Sequence, residues 1–218
     1  MRREWLGEAA GTFLLVFLGT GAVMASAAHP VEVPHGWVSL AFGLAVFACI
    51  EAFGPVSGAH LNPAVTVGLA LAHRVAWRTV PGYVASQLLG AVMASGLLRW
   101  LLGPIGRMGA TMPSGPAWQS FAIELAFTFV LFLVVMRVTG DDRGSGSPPA
   151  LTIGAVIALE ALVGGPVSGA SMNPARSFGP AVASGLWSFH WIYWVAPLLG
   201  AALAVPVARW MARPAGNG

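Results

Sequence analysis

The sequence contains no lysine: all 11 basic residues are arginine. Charged residues of both signs make up only 9% of the 218 positions, where a soluble domain carries about 25%. That scarcity excludes an ordinary water-exposed surface and points to an integral membrane protein. A hydrophobic content of 56% and a mean hydropathy of +0.75 agree. The pI is near 10.0, but the net charge is only +3 and no basic patch is interleaved with aromatics, which argues against a nucleic-acid partner. A single cysteine excludes a disulfide framework, and Cys49, inside an apolar run, reads as a small buried hydrophobe. The five histidines show no metal-ligand spacing, and no nucleophile–base set is present. No metal, cofactor or enzymatic activity is therefore expected.

Six apolar runs approach spanning length, at about 9–28, 37–53, 79–102, 118–136, 149–164 and 190–211. The first imitates a signal peptide, with Arg2 and Arg3 before an apolar stretch and Ala25-Ser26-Ala27 after it. Glu4 and Glu8 do not belong in such a peptide. The stretch from Glu8 also has a counterpart from Glu124 (EAAGTFLLVF against ELAFTFVLFL), so it is read as a retained first span. With the N-terminus in the cytoplasm, Arg2, Arg3, Arg74, Arg78, Arg137, Arg143, Arg209 and Arg213 fall inside. Arg99 and Arg107 fall outside, and the bias is positive-inside, with both termini cytoplasmic. Trp5, Trp37, Trp77, Trp100, Trp118, Trp187, Trp191 and Trp210 lie near span ends, where an amphipathic ring favours the interface. Residues 139–148 read as a solvated cytoplasmic loop and 213–218 as a flexible tail.

A twelve-residue segment occurs twice. Residues 54–65 read GPVSGAHLNPAV and residues 165–176 read GPVSGASMNPAR. Asn is a strong helix N-cap, and proline at the first helical position loses no hydrogen bond. Asn62-Pro63-Ala64 and Asn173-Pro174-Ala175 therefore open helices over roughly 62–72 and 173–184, about half the length of a span. The stretches leading into them, with Gly54, Ser57, Gly58 and Ala59 in one copy and Gly165, Ser168, Gly169 and Ala170 in the other, read as non-helical backbone. Such backbone is tolerated in a membrane only when buried or lining a wet cavity. The chain reads as one domain of two halves, 1–108 and 115–218, each with three spans and a short helix. Three is odd, so the second half enters from the opposite face as an inverted repeat, and the short helices meet near the middle.

These elements resemble the aquaporin (major intrinsic protein) family over nearly the whole chain. SGAHLNPAV at 57–65 and SGASMNPARSFGP at 168–180 are similar to its two signature loops. The second is especially similar to that of plant nodulin-like intrinsic proteins and their bacterial relatives, and the chain is identified as a bacterial member with nodulin-like features. The resemblance implies an all-α membrane protein, a right-handed bundle of six spans plus two re-entrant half-helices. It also implies a homotetramer in the inner cell membrane, with one pore per subunit.

By the same resemblance, Asn62 and Asn173 donate to a passing molecule at the pore centre, and two positive helix ends and Arg176 repel cations and protons. The selectivity filter maps to Phe42, Ala161, Ala170 and Arg176. Gly58, Ala59, His60, Gly169 and Ser171 map to pore-lining loop backbone, and Glu8 and Glu124 to carboxylates that hold the loops. Water channels usually place His where this chain has Ala161, and glycerol channels place Trp and Phe at the positions of Phe42 and Ala170. Two alanines imply a filter wider than a water-only one, whereas Ser177, Ala181, Tyr193 and Trp194 match water-channel types. Glu51 and Glu160 depart from the family pattern, leaving open whether they support the loops or Glu160 pairs with Arg176.

The implied function is a passive channel for water and small uncharged solutes (glycerol, urea or neutral metalloid hydroxides such as arsenous acid) that excludes ions. A strict water channel is the alternative. A proton-coupled secondary transporter is a rival, resting on Glu8, Glu51, Glu124 and Glu160 within spans and on the inverted repeat. A junctional role would go with a long terminal extension, which is not expected here.

Overall fold

The computed structural model describes residues 2–140 and 148–212. Residues 141–147, within the expected cytoplasmic loop, and the expected tail 213–218 lie outside the described residues. Eight α-helices account for most of the rest: α1 (Arg3–Ala28), α2 (His35–Ser57), α3 (Pro63–Leu71), α4 (Val80–Leu102), α5 (Ala117–Val138), α6 (Pro149–Ser168), α7 (Pro174–Ser184) and α8 (Ile192–Met211). Six are long and apolar enough to cross a membrane, while α3 and α7 have 9 and 11 residues.

The inverted repeat is visible in the packing. α1 lies on α2 and α4, and α5 lies on α6 and α8. The halves join where α2 meets α6, and there the backbones nearly touch. A Cβ built on Gly43 would sit 2.5 Å from the Gly154 carbonyl oxygen, and one on Gly154 would sit 2.6 Å from that of Gly43. The reciprocity marks the pseudo-twofold axis, and any side chain at either glycine would force the helices apart. Each short helix packs against the last span of the other half, α3 on α8 and α7 on α4. This exchange interlocks the two repeats.

One expectation fails at the loop entrances. α2 and α6 do not end at Gly54-Pro55 and Gly165-Pro166; they continue to Ser57 and Ser168 with the prolines inside. A proline so close to a C-terminus removes a single late hydrogen bond, and the helix closes behind it on a left-handed glycine. Gly58 (φ 83°) donates its N–H to the Gly54 carbonyl, and Gly169 (φ 87°) donates to that of Gly165. The non-helical segments thus shrink to residues 58–62 and 169–173. Trp37, Trp77, Trp100, Trp118, Trp187, Trp191 and Trp210 are all exposed.

Candidate functional site: a cavity between two re-entrant loops

Asn62 and Asn173 cap their helices as their sequence contexts dictate. The Asn62 Oδ1 accepts from the Ala64 N–H at 2.8 Å, and the Asn173 Oδ1 accepts from the Ala175 and Arg176 N–H groups at 2.9 and 3.2 Å. The amide nitrogens then cross. Asn62 Nδ2 donates to the Met172 carbonyl and Asn173 Nδ2 to the Leu61 carbonyl, both at 2.8 Å. Each NH₂ has two hydrogens and spends one on this brace, leaving the other for the cavity that both residues line. Pro63, Ala64, Pro174 and Ala175 are buried behind the cavity wall.

The loops themselves are strained. Ala59 (φ 46°), Leu61 (φ 54°), Ala170 (φ 43°) and Met172 (φ 49°) adopt left-handed backbone, which costs a side-chain-bearing residue about 1–2 kcal/mol each. Buried carboxyls hold the conformation. Glu8 accepts from Ser57 Oγ (2.8 Å), His60 N (2.9 Å), Leu61 N (2.8 Å) and Gln87 Nε2 (2.7 Å). Glu124 accepts from Ser168 Oγ (2.7 Å), Ser171 N (2.8 Å) and Met172 N (2.7 Å). Tyr83 and Tyr193 complete the pattern, donating their hydroxyls to the Ser57 and Ser168 carbonyls. Sequence reasoning reached the two glutamates by resemblance but missed Gln87 and the function of the tyrosines. The pairing joins residues 25 to 79 positions apart, which no local pattern signals.

The cavity is lined by Gly58, Ala59, His60, Ala170 and Ser171 from the loops and by Phe42, Ala161 and Arg176 at one end. Its remaining wall is apolar, with Leu15, Val46, Ile50, Leu131, Val135, Ile153 and Ile157, and Thr139 and Pro149 lie at the C-terminal end of α5 and the N-terminal end of α6. Gly169 does not line it. Its Cα side faces Thr111, which a built Cβ would meet at 3.1 Å, because the αL turn that closes α6 points it away.

Arg176 is 3% exposed. Its Nη1 donates to the Gly109 carbonyl at 2.8 Å, and its Cζ lies 4.8 Å from the centre of the Phe42 ring, a cation–π distance. The Gly109 acceptor comes from a single left-handed turn, Gly106–Gly109 (φ 55, 52, 59 and 68°), pinned by Met108, which is buried among Met24 and Leu98. Nearby, Thr111 Oγ1 donates to Ser177 Oγ, which also contacts Ser171 Oγ. Ser177, Ala181 and Tyr193 are buried and do not line the cavity.

The two unexplained carboxyls take neither expected role. Both Glu160 oxygens are buried without a hydrogen-bond partner among the described residues, so Glu160 does not pair with Arg176, whose guanidinium turns to Gly109 instead. Glu51 is exposed on α2 and, among the described residues, makes no side-chain hydrogen bond to either loop. Among the described residues no cluster of His, Cys, Asp or Glu could hold a metal.

The comparisons agree with this architecture. The sequence matches the model of the major intrinsic protein family over residues 1–207. A protein of Zea mays named Aquaporin NIP1-1 is 45% identical over 199 residues, covering 90% of this chain and 70% of its own. Nodulin-26 of Glycine max is 38% identical over 200 residues, covering 91% and 74%. Among solved structures, the aquaglyceroporin from Plasmodium falciparum superposes with a TM-score of 0.83 at 29% identity, over 95% of this chain and 98% of that one. The chain belongs to the major intrinsic protein family.

Proposed function

We propose that this cavity is the conducting pore of a passive channel for water and small uncharged solutes, with Phe42, Ala161, Ala170 and Arg176 as its constriction. The observation that carries the reading is one cavity lined by both capping asparagines and by all four of these residues. Two helix N-termini and a buried arginine put positive potential on the path, while one free N–H on each asparagine offers a neutral solute a hydrogen bond. Ala161 and Ala170 contribute one methyl each, which supports passage of solutes as large as glycerol, urea or arsenous acid. The residues of water-channel type, Ser177, Ala181, Tyr193 and Trp194, do not line the cavity, which weakens the case for that alternative. We place the protein in the inner cell membrane with both termini cytoplasmic, following the arginine distribution, and expect a homotetramer with a pore in each subunit.

Stopped-flow light scattering on proteoliposomes tests the reading, with water, glycerol and arsenous acid compared at matched protein density. Flux of all three, linear in solute concentration and indifferent to a proton gradient, is the expected result. Water flux with no larger solute would return the strict water channel. Saturable, gradient-dependent flux would return the transporter.

A further inference from the structure

We propose that Gly19 of α1, a residue outside the cavity lining, is a positioning residue that sets the aperture of the filter through the Phe42 ring. The inference rests on the reading of Phe42 as part of the constriction.

Gly19 is buried, and the edge of the Phe42 ring occupies the space a side chain would need. A Cβ built on Gly19 would lie 2.2, 2.5 and 2.8 Å from Cε1, Cδ1 and Cζ of that ring. Phe42 itself is 7% exposed and lines the cavity, with the Arg176 guanidinium 4.8 Å from its centre. The next residue, Thr20, backs the other partner of Arg176: a Cβ on Gly109 would come within 2.9 Å of Thr20 Cβ. Consecutive residues of α1 therefore seat both the ring and the carbonyl that orient the arginine. The missing side chain at Gly19 lets the ring recess into α1 and leaves the cavity open beside Ala161 and Ala170.

A methyl at Gly19 reverses this. Relieving a 2.2 Å approach to ordinary carbon–carbon separation, about 3.5 Å, requires the ring to retreat by roughly 1.3 Å. The helix backbone of α1 resists movement more than a phenyl ring does, and the ring retreats toward the cavity it lines. A solute as wide as glycerol must then push it back, whereas water passes. Displacing the ring adds to the barrier for glycerol and not to that for water, so glycerol permeability should fall roughly tenfold, the effect of about 1.4 kcal/mol on a barrier.

The test compares native protein, Gly19→Ala, Phe42→Val and the double variant in proteoliposomes, reading water and glycerol permeability at matched density of monodisperse protein. Gly19→Ala should lower the glycerol-to-water ratio roughly tenfold with Phe42 present, and should leave that ratio unchanged in the Phe42→Val background. An unchanged ratio in the single variant, or the same drop in both backgrounds, overturns the inference. Should Gly19→Ala alone yield no folded protein, recovery of folded channel by Phe42→Val supports the contact. Failure in both backgrounds overturns it, because the methyl then meets something other than the ring. Phe42→Val by itself separates the two readings. If it changes neither permeability, Phe42 is not at the constriction and the proposed filter fails. If it raises glycerol flux while Gly19→Ala does nothing, only the inference about Gly19 fails. Should native protein pass no glycerol, its filter is already water-sized and Gly19→Ala should lower water permeability with Phe42 present; an unchanged water permeability, or the same drop in the Phe42→Val background, overturns the inference.

Discussion

Replacing Glu8 with glutamine tests whether a buried carboxyl holds the first re-entrant loop. Four donors converge on Glu8: Ser57 Oγ and His60 N on one oxygen, Leu61 N and Gln87 Nε2 on the other. Glutamine keeps one oxygen and presents an NH₂ where the second stood. Gln87 can adapt by turning its amide so that its unpartnered Oε1 accepts, although this gives up the bond its Nε2 donates to Thr66 Oγ1 at 3.0 Å. The Leu61 N–H cannot, since its left-handed backbone (φ 54°) points it at the lost acceptor. One orphaned buried N–H costs about 1–3 kcal/mol, and trading charge-assisted for neutral bonds at the retained oxygen adds about 1 kcal/mol for each of two. The expected loss is about 3–5 kcal/mol of stability. Glu124→Gln orphans the Met172 N–H in the same way and should match within about 1 kcal/mol. The assay is unfolding of the purified protein in mixed micelles of rising SDS fraction, followed by tryptophan fluorescence. Glu8→Gln unfolding within about 1 kcal/mol of native would refute the argument that acceptance by the second oxygen pays for the strained loop.

Arg176→Val removes the buried cation from the path and leaves the Gly109 carbonyl without its donor. Proton leak, read with a pH-sensitive dye in liposomes, should rise while water still passes, and unchanged leak would remove Arg176 from the barrier. Ala161→His fills the open filter corner with a ring, so glycerol flux should fall severalfold while water flux survives. Equal glycerol flux in both proteins would show that residue 161 is not at the constriction. In the turn before α8, His190 Nε2 accepts from Trp194 Nε1 at 3.1 Å, and partial burial holds its pKa below the usual 6.5. The unfolded chain therefore binds the proton more readily, and the stability His190 contributes is present above pH 6.5 and lost as pH falls through its lowered value. Thermal unfolding should weaken between pH 7 and 5 by more in native protein than in His190→Gln, and equal slopes would refute this.

The membrane class, the six spans, the duplicated segment and the two short helices were legible in the sequence because each is a local signal: apolar length, an N-cap before proline, a repeated string. Three adjacent residues at 173–175 with Arg176 behind them sufficed to suggest where an arginine and an asparagine would lie. The glycine–proline pairs misled, because a proline in the last turn of a helix costs one bond and does not end the helix. Other features were decided by tertiary structure alone. The spans are apolar on every side, since lipid and core both accept apolar side chains, so periodicity does not reveal that Leu15, Val46, Leu131 and Ile153 line the cavity while Leu44 and Leu159 face outward. The acceptor for Arg176 is 67 residues away in a left-handed turn, and the fourth donor to Glu8 is 79 residues away on α4. Gly19 reads in the sequence as one small residue among many, and only the fold shows the aromatic ring standing where its side chain would be. A chain can specify its helices from neighbours within a few turns, but the width of a pore depends on which distant side chains compete for the same space, and that is settled only when the helices pack.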